Sequence, residues 1–238
     1  MKYSPYSVSK IECYLSCPKK FEYCYITKPK IKSSFKHLEK GNLWHTLIEH
    51  AIKRTTKDFK KPFLKELNHE EYLKELSSCL RFLKSNFFLP YLQDIMVYKQ
   101  ITEQRFSIDK NGKVFLDNIQ NPMLKGFIDL IEFNDHEVQI IDWKTGGKSK
   151  ENIEKYPKSK FQLEVYAYIA QMIYKPTKLT AKYVYVEHEV EKIFTNFNPR
   201  ETWREITWNI ETIENDKEFK RNESVLCDWC DFRGLCLI

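Results

Sequence analysis

Apolar positions along the chain change their period part-way through, and the change divides it into a helical portion and a strand-rich portion. Near the start, Ile11, Tyr14, Leu15 and Phe21 recur at helical spacing, and Ser9-Lys10-Ile11-Glu12 reads as a capping box that opens the helix. That helix carries Cys13, Cys17 and Cys24. A lysine-rich stretch, Lys28 to Lys40, leads to Gly41 and to a second helix with Leu43, Leu47, Ile48 and Ala51 on one face and His45 in its first turns. Glu70 to Phe88 is a further helix, with Pro62 and Pro90 as breakers on either side. Beyond Pro90, Ile101 to Ile108, Val114 to Leu116, Leu124 to Phe133 and Val138 to Trp143 are β-rich runs separated by Asn-Gly, Asn-Pro and Asn-Asp turns. Phe161 to Tyr174 then predicts an amphipathic helix, Leu179 to Val186 a buried strand, Lys192 to Phe197 a weaker strand, and Glu201 to Phe219 a closing helix.

This order of helices, antiparallel strands, helix, strand and helix predicts an α/β fold with a mixed central sheet flanked by helices. The 238 residues, 42% of them hydrophobic, suffice for one sizeable core, and neither an internal repeat nor a low-complexity linker interrupts them. The expectation is a single domain over 1–238, mainly helical in 1–90, with the sheet in 95–198 and a closing helix and cysteine tail in 199–238. The sequence has no run of 18 apolar residues and no secretory pattern over Met1 to Lys10, which predicts a soluble, cytoplasmic protein with no membrane partner. Lys and Arg exceed Asp and Glu by 39 to 33, a formal charge of +6, a modest bias towards a polyanionic partner.

Cysteine usage adds chemistry. In a reducing compartment the C-x2-C-x5-C run of Cys227, Cys230 and Cys236 points to metal rather than disulfide, with Cys17 upstream as a fourth thiolate and Cys13 as its rival. Four thiolates suit zinc or iron-sulfur, and spacing does not choose between them. Cys24 and Cys79 read as ordinary buried thiols.

A second constellation sits at two strand ends. Asp129 lies inside one strand and Asp142 at the end of the next, joined by a short turn at Asn134 to His136, so both carboxylates can stand side by side. Paired carboxylates beside a backbone carbonyl are hard oxygen ligands suited to Mg²⁺ or Mn²⁺. Lys144 leaves the strand on the same face as Asp142 and can offset charge on a scissile phosphate. Gly146-Gly147 lets a phosphate backbone approach. Lysines 148, 150, 155, 158 and 160 suit either a solvated loop or phosphate tracking, and Lys28, Lys30, Lys32 and Lys36 form a second candidate patch.

Taken in order, G-x-x-D at Asp129, I-D-W-K-T-G at Asp142, Gln162-x3-Tyr166 on a helix and a preceding helical His45 resemble the PD-(D/E)XK nuclease superfamily. The pattern is most similar to its RecB-like branch, which includes CRISPR-associated RecB-like exonucleases and AddB-type nuclease domains. The resemblance implies a restriction-endonuclease-like core and a metal-dependent DNA exonuclease acting on single-stranded ends. It assigns His45, Asp129 and Asp142 as metal ligands with the Trp143 carbonyl, Lys144 as the catalytic lysine, and Gln162 and Tyr166 to DNA contact or support. Those two also suit simple packing on a core helix. Glu103 corresponds to an acidic residue that precedes the G-x-x-D strand in this branch. In the same family an N-terminal Cys-Pro joins a C-terminal C-x2-C-x5-C around a [4Fe-4S] cluster, which implies Cys17, Cys227, Cys230 and Cys236 as ligands joining the termini. The alternative function is a DNA-binding or DNA-processing subunit of a larger recombination, repair or CRISPR-adaptation complex, with protein partners.

Overall fold

A computed structural model of the chain describes residues 1–31, 36–54, 65–93, 98–146, 149–155 and 159–236. Lys32, Pro62, Gly147, Lys148, Lys158 and the side chain of Lys155 lie outside the described residues. Its elements are α1 (Val8–Ser16), α2 (Pro18–Glu22), a π-helical turn (Tyr23–Thr27), α3 (Lys36–Lys53), α4 (His69–Leu83), α5 (Leu89–Gln93), β1 (Lys99–Ile108), β2 (Val114–Phe115), β3 (Leu124–Phe133) and β4 (Glu137–Lys144). They continue with α6 (Lys150–Lys155), α7 (Phe161–Tyr174), β5 (Lys178–Tyr185), β6 (Val190–Phe194), α8 (Pro199–Asn215), a 3-10 turn (Val225–Trp229) and α9 (Arg233–Cys236).

The strands form one mixed six-stranded sheet in the order β2-β1-β3-β4-β5-β6. β3 and β4 pair antiparallel across the turn, where the Asn134 side chain accepts the amides of His136 and Glu137. β4 and β5 are parallel from Glu137↔Lys178 to Lys144↔Tyr185, and β5 and β6 are antiparallel. The parallel step needs a crossover, and α7 lies in that connection and packs on both strands. The predicted α/β fold with a mixed sheet is therefore observed.

Chain contacts divide the molecule into two compact units: 1–33, 106–126 and 200–238 in one, 34–105 and 127–199 in the other. In the second unit, Trp44, Ile48 and Ile52 of α3, Cys79 and Phe82 of α4, and Phe88 and Tyr91 pack with Leu130, Ile141, Trp143, Val184 and Val186 of the strands. Because Ile141 and Trp143 face this cluster, strand alternation turns Asp142 and Lys144 the other way. In the first unit, Tyr6 and Leu124 bridge, and Phe21, Tyr14, Tyr3 and Phe219 form an aromatic cluster with Phe21 and Phe219 stacked at 6.0 Å. Gly126 sits where an added Cβ would come within 2.8 Å of the Phe106 ring.

Local expectations needed correction: α4 ends at Leu83 rather than Phe88, Pro90 lies in the first turn of α5, Cys24 is half-buried, and the start of the chain differs as well. The N-cap of α1 is Ser7, whose hydroxyl accepts the Lys10 amide, so the helix opens two residues before the Ser9 box. The first helix does not run through Cys17: Pro18 excludes helical backbone at the residue before it, and Cys17 is extended (φ −164°, ψ 110°) between α1 and α2. Cys24 consequently lies in the π-helical turn. Finally, Gly41 lies inside α3 rather than before it, which places His45 in the third turn.

Candidate active site

The second unit brings the sequence-predicted residues of β3, β4, α3 and α7 together. Asp142 lies two residues before the end of β4 and is buried, 1% exposed, and Lys144 ends the strand on the same face. Lys144 Nζ lies directly against Asp142 Oδ2 as an ion pair. Beyond that ion pair the oxygen has no hydrogen-bond partner, and a carboxylate oxygen carries a second lone pair for a further ligand. Lys144 Nζ also donates to Gln162 Oε1 at 2.9 Å and stands 5.0 Å from the centre of the Tyr183 ring. Gln162 Nε2 in turn donates to Tyr166 Oη at 2.8 Å, one turn along α7. Burial, then the negative charges of Asp142 and Asp129, push the Tyr166 hydroxyl well above the usual tyrosine range, so it keeps its proton at neutral pH.

Across the sheet, the Trp143 amide donates to Asp129 Oδ2 at 2.8 Å, fixing the two strands' carboxylates relative to each other. His45 Nδ1 stands 3.6 Å from Asp129 Oδ2 and 4.0 Å from Glu103 Oε1. Among the described residues, His45, Glu103 and Asp129 are the group of three whose ligating atoms all lie within 4.8 Å of one another. Burial lowers the His45 pKa despite nearby Asp142, which favours the neutral imidazole that a metal requires. Burial and the Asp142 charge raise Asp129 well above the carboxylate range, and burial with Glu49 raises Glu103 to about 7. Each of these carboxyls resists ionising unless a cation is near. The hard oxygen donors, neutral imidazole and underused Asp142 oxygen fit a divalent ion of the Mg²⁺ or Mn²⁺ type.

Sequence reasoning placed Glu103 only by correspondence, yet it stands closer to His45 and Asp129 as a group than Asp142 does. One cause is local: Glu103 has a left-handed φ of 50° inside β1, an unusual backbone state for a glutamate that breaks the alternation from which its direction would be read. A second residue had no sequence signal. Glu187 accepts the Gly146 amide at 3.2 Å and pairs with Lys40 Nζ at 2.7 Å, while Lys40 also reaches Glu75 at 3.2 Å. This network pins the turn after Lys144, where Gly146 takes φ +125°, a conformation that side-chain-bearing residues rarely adopt. Trp143 contributes its amide and a buried indole, 4.9 Å from the Tyr91 ring.

In the first unit, Cys17, Cys227, Cys230 and Cys236 line one cavity of about 90 Å³ with Lys19, Lys20, Tyr23, Arg221 and Phe232. Asn222 donates its amide towards Cys17 Sγ at 3.4 Å and its side chain to the Ser16 carbonyl at 3.0 Å. Ser224 caps the 3-10 turn that carries Cys227. Cys13 stands apart from that lining, and burial pushes its thiol up to about 12.

His45, Glu103 and Asp129 stand together beside the Asp142 and Lys144 pair on neighbouring strands, backed by a helix, a donor set that can hold a divalent ion. Residues 5–237 match the PD-(D/E)XK nuclease superfamily, and the chain belongs to it. Membership implies a metal-dependent nuclease with DNA as substrate. No curated protein sequence matches the chain. Among solved structures it is similar to the one described as "Crystal structure of SSO0001", with 17% identity over 83% of this chain and 97% of that chain and a TM-score of 0.37. No described helix is long and apolar enough to cross a membrane.

Proposed function

We propose that this chain is a RecB-like exonuclease that hydrolyses single-stranded DNA from its ends, working as one nuclease domain with a [4Fe-4S] cluster. The observation that carries the reading is the meeting of His45, Glu103 and Asp129 beside the Asp142, Lys144, Gln162 and Tyr166 chain. The family match from residue 5 to 237 runs through both compact units, which supports treating them as one nuclease domain.

In this reading His45, Glu103, Asp129, Asp142 and the Trp143 carbonyl hold the divalent ion. The ion supplies Lewis-acid polarisation of the phosphate and a more acidic water. Lys144 carries the charge that offsets the developing negative phosphate, and its two anchors, Asp142 and Gln162, keep the ammonium aimed before substrate arrives. Tyr166, buried and held protonated, accepts from Gln162 and so orients it. Glu187 and Lys40 fix the Gly146 turn that follows.

The thiol-lined cavity supports the cluster: it has room for several water-sized groups, more than a single ion fills. Cys17 lines it and the half-buried Cys13 does not, which favours Cys17 with Cys227, Cys230 and Cys236 as ligands. Single-strand and end preference rest on the sequence resemblance, as does any role with protein partners. End-labelled single-stranded, duplex and circular DNA, incubated with Mg²⁺ or Mn²⁺, test the activity. Shortened linear single strands and intact circles are expected; cut circles or untouched ends would overturn the exonuclease reading.

A further inference from the structure

Next to the candidate metal ligands lies a surface feature that the chemistry above leaves unused. Phe127 is two residues before Asp129 on β3, so strand alternation puts both side chains on one face, about 7 Å apart along the strand. Asp129 is drawn inward by its hydrogen bond from the Trp143 amide, whereas Phe127 is 45% exposed. Singly exposed apolar residues are common on protein surfaces, so this ring takes its meaning from what stands around it.

The neighbour on β1 gives the occupant's chemistry. The Arg105 guanidinium sits 5.1 Å from the centre of the Phe127 ring, within cation–π range, and Arg105 is itself exposed. Arg105 follows Glu103 by two residues, just as Phe127 precedes Asp129 by two. Each member of the pair thus lies two residues along its strand from a carboxylate of the cluster. An exposed aromatic ring with a planar guanidinium over it matches a nucleotide, whose base stacks on aromatic or guanidinium planes and whose phosphate is anionic. An acidic peptide would use the cation but leave the ring without a planar partner.

We infer that Phe127 and Arg105 form a stacking platform for the base of the nucleotide next to the scissile phosphate, holding the strand in register with the metal site. This rests on the nuclease reading for what is cut, but the stacking itself can be read without cleavage. The platform binds any base, because every base offers a π face, and it discriminates against a strand that lacks one.

The experiment uses the full chain and single-stranded oligonucleotides that carry either one abasic nucleotide or one fluorescent 2-aminopurine, moved position by position. With Mn²⁺, wild-type protein should slow about tenfold at one fixed offset from the abasic nucleotide, the size expected for one lost stacking contact. Phe127→Ala should raise KM for intact strands about tenfold and lose the abasic contrast, and Phe127→Trp should restore it. Arg105→Lys, which keeps the charge but loses the planar guanidinium, should give a smaller rise in KM. In Ca²⁺ buffer, 2-aminopurine should be quenched at one position by wild-type protein and not by Phe127→Ala. Quenching through Phe127 in a protein that cuts nothing would sink the nuclease reading and leave the platform standing. Quenching or an abasic penalty that persists in Phe127→Ala, or neither effect in the wild type, would overturn the platform.

Discussion

The carboxylate site and the thiol pocket both gather ligating side chains from distant parts of the sequence, but the chain builds them from different materials. The carboxylates stand on β3 and β4, strands paired residue by residue, and Lys144 is braced by Asp142 and Gln162. The thiols stand on a residue between two short helices, a 3-10 turn and a four-residue helix, where Val225 and Trp229 are 83% and 87% exposed. Sheet hydrogen bonds and core packing set the first geometry before any ligand arrives. The second has few buried contacts, so a bound group has more geometry left to impose. Even so, the first unit is not held by thiols alone. Glu214 accepts the Lys2 and Tyr3 amides and the Tyr6 hydroxyl, and Tyr14 donates to Asp216 at 2.7 Å. The N-terminal segment and the α8 end are thus already tied by ordinary hydrogen bonds.

If the two sites differ in this way, damage to each should read out differently. The largest effect is expected at the carboxylates: Asp142→Asn or Lys144→Ala should lower kcat by roughly 10²- to 10³-fold, the range for removing a preorganised electrostatic group. Absorbance near 400 nm from the thiol site and the melting temperature should stay close to wild type. Full Mn²⁺-dependent activity in a folded variant would dissolve the assignment of these residues.

The converse lesion is Cys227→Ser with Cys230→Ser. On the cluster proposal it should remove the iron held there and lower the melting temperature by about 10 °C, from loop-closure stabilisation of a few kcal/mol in a chain of this size. Activity should fall only as the fold does, while Mn²⁺ binding measured at low temperature persists. An unchanged melting temperature after iron loss would show that the hydrogen bonds at Glu214 and Asp216 already suffice.

A third contrast is in pH. Burial and the charge of Glu49 raise Glu103 from 4.5 to about 7 in the folded chain, so its ionisation opposes folding when no cation is bound. Its contribution is complete below about 4.5 and is lost as pH rises through 7. In chelator, Glu103→Gln should therefore gain melting temperature over wild type between pH 5 and 8, and added Mg²⁺ should shrink the difference. A constant difference across that range would remove Glu103 from the cation site.

Glu39 gives the smallest effect, with the opposite sign. Burial works to raise its pKa, but the amides of Lys65, Leu67 and Glu66 outweigh it and hold the carboxyl below its ordinary value. Its stabilisation is present above about 4.5 and lost as pH falls further. Glu39→Ala should flatten the acid side of the stability profile with little change in activity at neutral pH.

Much of this molecule is legible in its sequence because it depends on short-range rules. β3 begins and ends where the alternation does, and α7 spans Phe161 to Tyr174 as its apolar spacing predicts. The Asp142 and Lys144 pair shares a face through strand alternation, and the one-turn spacing of Gln162 and Tyr166 becomes a hydrogen bond. Around Cys17 the apolar spacing carries across Pro18 while a helical backbone cannot, so the helix breaks there. Glu103, Glu187 and the Phe127 platform were beyond such rules. Glu103 reaches the site through a left-handed residue in a strand, Glu187 meets Gly146 across 41 residues, and Arg105 finds Phe127 only once β1 and β3 are neighbours. The sequence by itself determined the order of elements, the shared strand face of Asp142 and Lys144 and the thiol spacing, since periodicity and turn chemistry act over a few residues. Tertiary structure decided which carboxylates share a cation site, which thiols line one cavity and which aromatic ring stays open, because those depend on distances between segments that local rules do not set.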